Sequence, residues 1–227
     1  MAQRKLNGRV PKAKKYLRLG RDRRRRQILE TAVRYFSTHG FDRGTRALAE
    51  HMEISQSLLY HYFSSKEELI EEVYRHLFER RWDSDWEQIF KNSGLPPRER
   101  IAQFYIAYFK TVLTKEWTRI FVLAALRDLD LHKRNHDAVR ERIFPFIVDA
   151  IAGERRRAGV GELDDAECET AWNLHSAIFY IAIREWVFKF ESRMSMEALI
   201  RNAIDVFIDG APAVLARPRP DERHLSA

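Results

Sequence analysis

Cysteine is almost absent from this chain, which has only Cys168. An internal disulfide is therefore excluded, and no Cys/His spacing resembles a zinc module. Long apolar runs are missing too. The richest stretch, Ala177 to Phe190, holds Arg184, Glu185 and Lys189, so no run of about 20 uncharged apolar residues is present to span a membrane. The N-terminus is basic, but no apolar segment of the secretory type follows it. The nucleophile elbow G-x-S-x-G, the P-loop, the H-E-x-x-H zinc motif and the Gly-rich dinucleotide turn are all lacking. Cys168 sits among Asp164, Asp165, Glu167 and Glu169, surroundings unsuited to a thiolate nucleophile. Catalysis, a cofactor and a bound metal are not expected; a reduced, cytoplasmic protein is.

What is present is charge, unevenly spread. Of the 227 residues, 45% are hydrophobic and 32% charged, the balance of a folded protein. The formal net charge is +7, yet residues 1–35 alone carry thirteen Lys or Arg against Asp22 and Glu30. That end is net +11, leaving −4 for the other 192 residues. A basic end on a mildly acidic body suits a polyanionic partner. A solubilising tail has the same composition, so charge alone does not decide between them.

The hydrophobic pattern is helical throughout, and no β-type alternation competes with it. Residues 1–20, interrupted by Gly8, Pro11 and Gly20, read as a basic arm. Ile28, Leu29, Ala32, Val33 and Phe36 then form one helical face, ended by Gly40. A short helix is expected from Thr45 as N-cap, and a second from Ser55 over Gln56–Tyr62 after a break at Met52, Glu53 and Ile54. Ser65, Lys66, Glu67 and Glu68 match the S-x-x-E capping box of a fourth helix. After a turn at Asn92–Pro97, Ile101, Phe104, Tyr105, Tyr108, Phe109 and Val112 should face inward. Further helices are expected over about 117–130, 136–157, 164–191 and 195–215. The expected fold is all-α. Its parts are the arm, a helix-turn-helix over 21–66, a helical body over 67–215, and a proline-rich disordered tail over 216–227.

Two short helices joined by a tight turn, the second capped by serine, form a helix-turn-helix, which places its second helix in the DNA major groove. With Leu59 and Phe63 in the core, Gln56, Ser57, Leu58 and Tyr60 are left for solvent or DNA. Gln pairs with adenine and Leu touches a thymine methyl. Lys66 stands in the first turn of a helix, where the dipole disfavours a cation but phosphate is welcome. Thr45 begins another helix, and Arg23–Arg26 crowd the start of a third.

The residues Ile28, Leu29, Ala32, Tyr35, Phe36, Gly40, Phe41, Thr45, Leu48, Ala49, Ile54, Ser55, Leu59, Tyr60, Tyr62, Phe63 and Ser65–Leu69, in this order, resemble the DNA-binding domain of the TetR (tetracycline-repressor-like) family. The resemblance implies that Thr45, Tyr60, Tyr62 and Lys66 bind phosphate. It also implies that Gln56, Ser57 and Leu58 approach bases, with Arg46 nearby on the DNA side. Glu53 and Ser57 stand where the family commonly has glycine, and the link after Gly40 is one residue shorter.

For the body, the resemblance implies a helical ligand-binding and dimerisation domain. Segment 171–190 is apolar nearly all round, so as a helix it needs cover on more than one face. With the last helix it would form a four-helix homodimer interface, presenting two recognition helices to palindromic double-stranded DNA. A small-molecule effector is expected among Phe104, Tyr108, Phe121, Arg127, Trp172, His175 and Phe179. His175 also reads as a satisfied core histidine. His132 and His136 lie in a polar stretch read as a solvated loop rather than a metal pair. The functional expectation is a ligand-released homodimeric repressor; the alternative is an architectural DNA-binding protein without an effector.

Overall fold

A computed structural model of the chain describes residues 20–77, 85–126, 131–152 and 163–215. All regular structure among them is helical. The chain divides into two compact units, Met1–Arg80 and Arg81–Ala227. The expected arm (but for Gly20), Arg127 and the tail over 216–227 lie outside the described residues.

In the first unit, α1 (Arg21–His39) buries Ile28, Leu29, Ala32, Val33 and Phe36 along one face. It stops at Gly40, whose N–H donates to the Phe36 carbonyl at 2.9 Å. Gly40 has φ 74 and ψ −178, a region open essentially to glycine alone. The sharp exit drives Phe41 into the core, 5.2 Å from the Phe36 ring. Helix α2 (Thr45–His51) is capped by Gly44 rather than by Thr45, which is the first helical residue. The Thr45 hydroxyl is drawn sideways to other partners, so it does not cap.

The α2–α3 turn explains how the chain manages without glycine. Glu53 adopts φ 55; its N–H donates to the Glu50 carbonyl and that of Ile54 to the Ala49 carbonyl, both at 3.0 Å. This is a Schellman motif with a glutamate in the left-handed position. An L-residue there costs about 1–2 kcal/mol. Glu53→Gly should therefore be more stable than Glu53→Ala by about 1 kcal/mol, the two variants having lost the same carboxylate. Denaturant unfolding of the pair measures this, and equal midpoints would contradict it.

Helix α3 (Gln56–Tyr62) starts at Ser55, whose hydroxyl accepts from the Leu58 N–H at 3.1 Å. Helix α4 (Lys66–Leu77) starts at Ser65, whose hydroxyl accepts from the Glu68 N–H at 3.0 Å. The capping box is displaced by one residue: the Glu68 carboxylate accepts from the N–H and hydroxyl of Ser64, each at 2.6 Å. Those bonds hold the Glu68 pKa below its usual range. Leu69, Val73 and Leu77 are buried, so α4 contributes a full face to the first unit, past the boundary expected at residue 66.

The second unit holds α5 (Asp85–Lys91), α6 (Pro97–Thr111), α7 (Lys115–Ala125), α8 (Leu131–Arg142), α9 (Phe144–Ala152), α10 (Asp165–Ile183) and α11 (Met196–Leu215). The single helix expected over 136–157 is two, divided at Ile143. Pro145 has no N–H to continue the α8 ladder. The stretch containing His132 and His136, expected as a loop, is the first part of α8. Helix α10 opens with a reciprocal capping box between Asp164 and Glu167. It closes in a π-helical turn, Arg184–Phe188, with Lys189 left-handed at φ 58. Arg98 pairs with Asp205 and Asp209, and Arg201 with Glu99 and Glu197, so α6 and α11 are tied by two groups of ions. Among the described residues no helix is long and apolar enough to cross a membrane.

Candidate nucleic-acid interface

Leu59 and Phe63 are buried, each 1% exposed, and fix the rotation of α3. That rotation leaves Gln56, Ser57 and Tyr60 exposed, while Leu58 and Tyr62 are half-buried. Leu58 is thus only partly available to a base. The Ser57 hydroxyl bonds that of Ser55 at 3.0 Å.

Three of the expected contact residues meet at one atom. The Thr45 Oγ1 lies 2.9 Å from the Tyr60 hydroxyl and accepts from the Gln56 Nε2 at 3.1 Å. Thr45 itself is buried, so its side chain belongs to the α2–α3 contact while its two partners reach outward. Arg46 is exposed and pairs with Glu50 one turn on, at 3.2 Å. Lys66, at the first position of α4, is half-buried and has no ion-pair partner among the described residues.

The arginine run at the start of α1 divides into two kinds. Arg21, Arg23 and Arg26 are exposed. Arg24 donates to the Tyr62 hydroxyl at 3.3 Å. Arg25 pairs with the buried Glu72 at 3.0 Å and lies 4.8 Å over the Phe63 ring; Glu72 also pairs with Arg75. Arg25 is accordingly a fold-holding residue, a correction to its reading as one more cation set against the helix dipole. The spacing Arg25, Ile28, Leu29, Ala32 was the available signal, because it places Arg25 above the buried face.

The helix-turn-helix thus pairs a buried frame with exposed Gln56, Ser57 and Tyr60 on its second helix and a lysine opening the next helix. Residues 28–73 match the family model of the bacterial regulatory proteins of the tetR family. The N-terminal unit is a TetR-family DNA-binding domain. Solved TetR-type regulators resemble the longer chain in fold. One is a TetR-like transcriptional regulator from Rhodococcus sp. RHA1, with 21% identity over 86% of this chain and 99% of that one, TM-score 0.64. Another is PfmR, a TetR family transcriptional regulator from Thermus thermophilus, with 22% identity over 81% and 97%, TM-score 0.58. A third is a TetR-family regulator from Bordetella parapertussis 12822, with 21% identity over 86% and 98%, TM-score 0.56. Curated proteins offer no match to the chain. The fold is that of a DNA-binding TetR-type regulator.

The effector candidates of the C-terminal unit fall into two aromatic groups. Phe104 and Tyr108 stack at 5.5 Å, with Tyr108 5.8 Å from the His175 ring and Trp172 5.7 Å from it. Phe121 and Phe179 meet at 5.4 Å, both against Trp117. His175 is buried with its Nδ1 3.2 Å from the Tyr105 hydroxyl, and burial pushes its pKa down to about 4. Burial raises the pKa of Tyr105 and Tyr108, so the Tyr105 hydroxyl keeps its proton beside the imidazole. His136 stacks on Trp172 at 4.5 Å. The Arg184 guanidinium lies 5.8 Å from the Tyr180 ring centroid. None of these residues lines the open groove of about 730 Å³ beside the π-turn, whose walls include Phe109, Leu113, Trp186, Met194, Met196 and Leu199. The Trp186 indole donates to the Leu113 carbonyl at 3.1 Å and holds one wall in place.

Proposed function

We propose that the chain is a cytoplasmic, homodimeric transcriptional repressor that reads a palindromic operator and is released from it by a small molecule. The observation that carries the reading is the outward display of Gln56 and Tyr60 from a shared anchor on Thr45. Gln56 has the chemistry of an adenine reader, and Tyr60 that of a phosphate donor. Lys66 adds a cation beside the unsatisfied N–H groups of the α4 N-terminus, where a phosphate satisfies both.

Selection from a library of random duplexes tests it. The expected product is a palindrome with half-sites about one helical turn, ~34 Å, apart. Lys66→Ala should weaken binding to every sequence and lower the salt slope by about one. Gln56→Ala should relax preference at one base position by about 1–3 kcal/mol. The reading fails if the purified protein binds no sequence selectively at moderate salt.

Dimerisation through α10 and α11 is supported by the exposure of Tyr180 on α10 and Val206 on α11, large apolar groups suited to a second copy. For the effector, the groove beside the π-turn offers room within the usual range of ligand sites, about 300–1,000 Å³. The aromatic groups around His175 and Trp117 are packed ring on ring and would have to open first. Release requires only that the molecule prefer the dimer state that misfits the operator.

A further inference from the structure

The Thr45 hydroxyl carries a role apart from phosphate binding. We infer that Thr45 is a positioning residue for base readout, because its Oγ1 holds the Gln56 amide in the orientation that reads adenine. The inference rests on the DNA-binding reading above.

The donor count makes the case. A Gln amide has two N–H donors and one carbonyl acceptor. One N–H of Gln56 is spent on Thr45 Oγ1, at 3.1 Å. What remains is one N–H and the Oε1, one donor and one acceptor side by side. Adenine presents the complement in the major groove, the N7 acceptor and the N6 amino donor. The Thr45 bond therefore removes the surplus donor and leaves the adenine pair.

The same atom serves Tyr60. A hydroxyl has one proton and two lone pairs. One lone pair of Thr45 accepts from Gln56, and the Thr45 proton is then available for the Tyr60 oxygen, 2.9 Å away. Either hydroxyl can donate across this contact; in the arrangement where Thr45 donates, the Tyr60 proton is free to point outward to a phosphate oxygen. Tyr60 is 41% exposed and Thr45 6%, so the phosphate meets the tyrosine and not the threonine. Gln56 is exposed at the start of α3, and a glutamine without an anchor would have to give up rotamer freedom on binding. Here the protein restricts it beforehand.

Library selection with five variants tests the assignment. Thr45→Val keeps the volume and removes the hydroxyl; it should lower the preference for adenine at the Gln56 position about five- to tenfold, leaving other positions unchanged. Thr45→Ser should restore it. In the background of Gln56→Ala, Thr45→Val should have no further effect at that position. Tyr60→Phe should lower affinity for all sequences and keep the same consensus. The inference is overturned if Thr45→Val weakens every sequence alike with an unchanged consensus. It is also overturned if Thr45→Ser behaves as Thr45→Val does. Failure of the wild-type protein to select any sequence would instead bring down the regulator reading itself, and this role with it.

Discussion

Lowering the pH from 6.5 towards 4 is expected to cost the C-terminal unit about 3 kcal/mol through His175 alone. Burial holds this imidazole neutral, with a folded pKa of about 4 against an ordinary value of 6.5. Between these values the unfolded chain binds a proton that the folded unit refuses, so stability falls as the pH falls. The loss begins as the pH drops below 6.5 and is complete below the folded pKa. Each unit of difference is worth about 1.4 kcal/mol, and the nearly full burial of the ring leaves little screening. The groups around it carry no charge to offset the burial: Tyr105 meets its Nδ1 with a neutral hydroxyl, and Tyr108, Phe144 and Trp172 present rings. Denaturant unfolding of wild type and His175→Asn at pH 7, 5.5 and 4.5 isolates the contribution from that of the carboxylates. The variant should be less stable at pH 7, and the gap should close as the pH falls. A constant gap would mean that another group supplies the acid sensitivity.

If the proposed homodimer forms through α11, Val206→Arg is expected to turn it into a monomer and to lower operator affinity by about 10²–10⁴-fold. Val206 is 70% exposed on α11, so the substitution removes nothing from the core, and the stability of the isolated chain should change by less than about 0.5 kcal/mol. In the proposed dimer two charged side chains would be set beside the exposed apolar groups of α10 and α11. The affinity loss follows from the tethering of two heads, since the second half-site is then bound as if from a high local concentration. Sedimentation velocity and titration of the selected duplex give the two readouts. A variant that stays dimeric with full affinity would place the subunit contact away from α11.

Local features were the ones open to reading from the chain. The face of α1 follows from the 3.6-residue spacing of Ile28, Leu29, Ala32, Val33 and Phe36. The α3 and α4 starts follow from Ser55 and Ser65, whose caps involve residues three positions away. Contacts between distant residues were hidden. Arg25 meets Glu72 across 47 positions, and Gln56 meets Thr45 across 11. Nothing in the spacing of either pair announces it. Thr45 looked like a cap because threonine favours caps, yet the cap fell to Gly44 once Tyr60 and Gln56 competed for the hydroxyl. The division of the region 136–157 was signalled by Pro145, but an apolar pattern continuing across it disguised the break.

The π-turn at the end of α10 bears on how a helix carries its apolar face. At the turn the Arg184 carbonyl accepts from both Lys189 and Phe190. One residue more than an α-helix would need is stored in Arg184–Phe188, a shift of about 100° in side-chain direction. Residues 171–183 bury one face, whereas Arg184–Phe188 fully bury no side chain and the helix ends at the left-handed Lys189. The apolar stretch 171–190 is therefore not covered all round within one subunit: Tyr180, Phe188 and Phe190 stand exposed. Trp186, inside the wider turn, sends its indole N–H to the Leu113 carbonyl and so fastens the end of α10 to the link between α6 and α7.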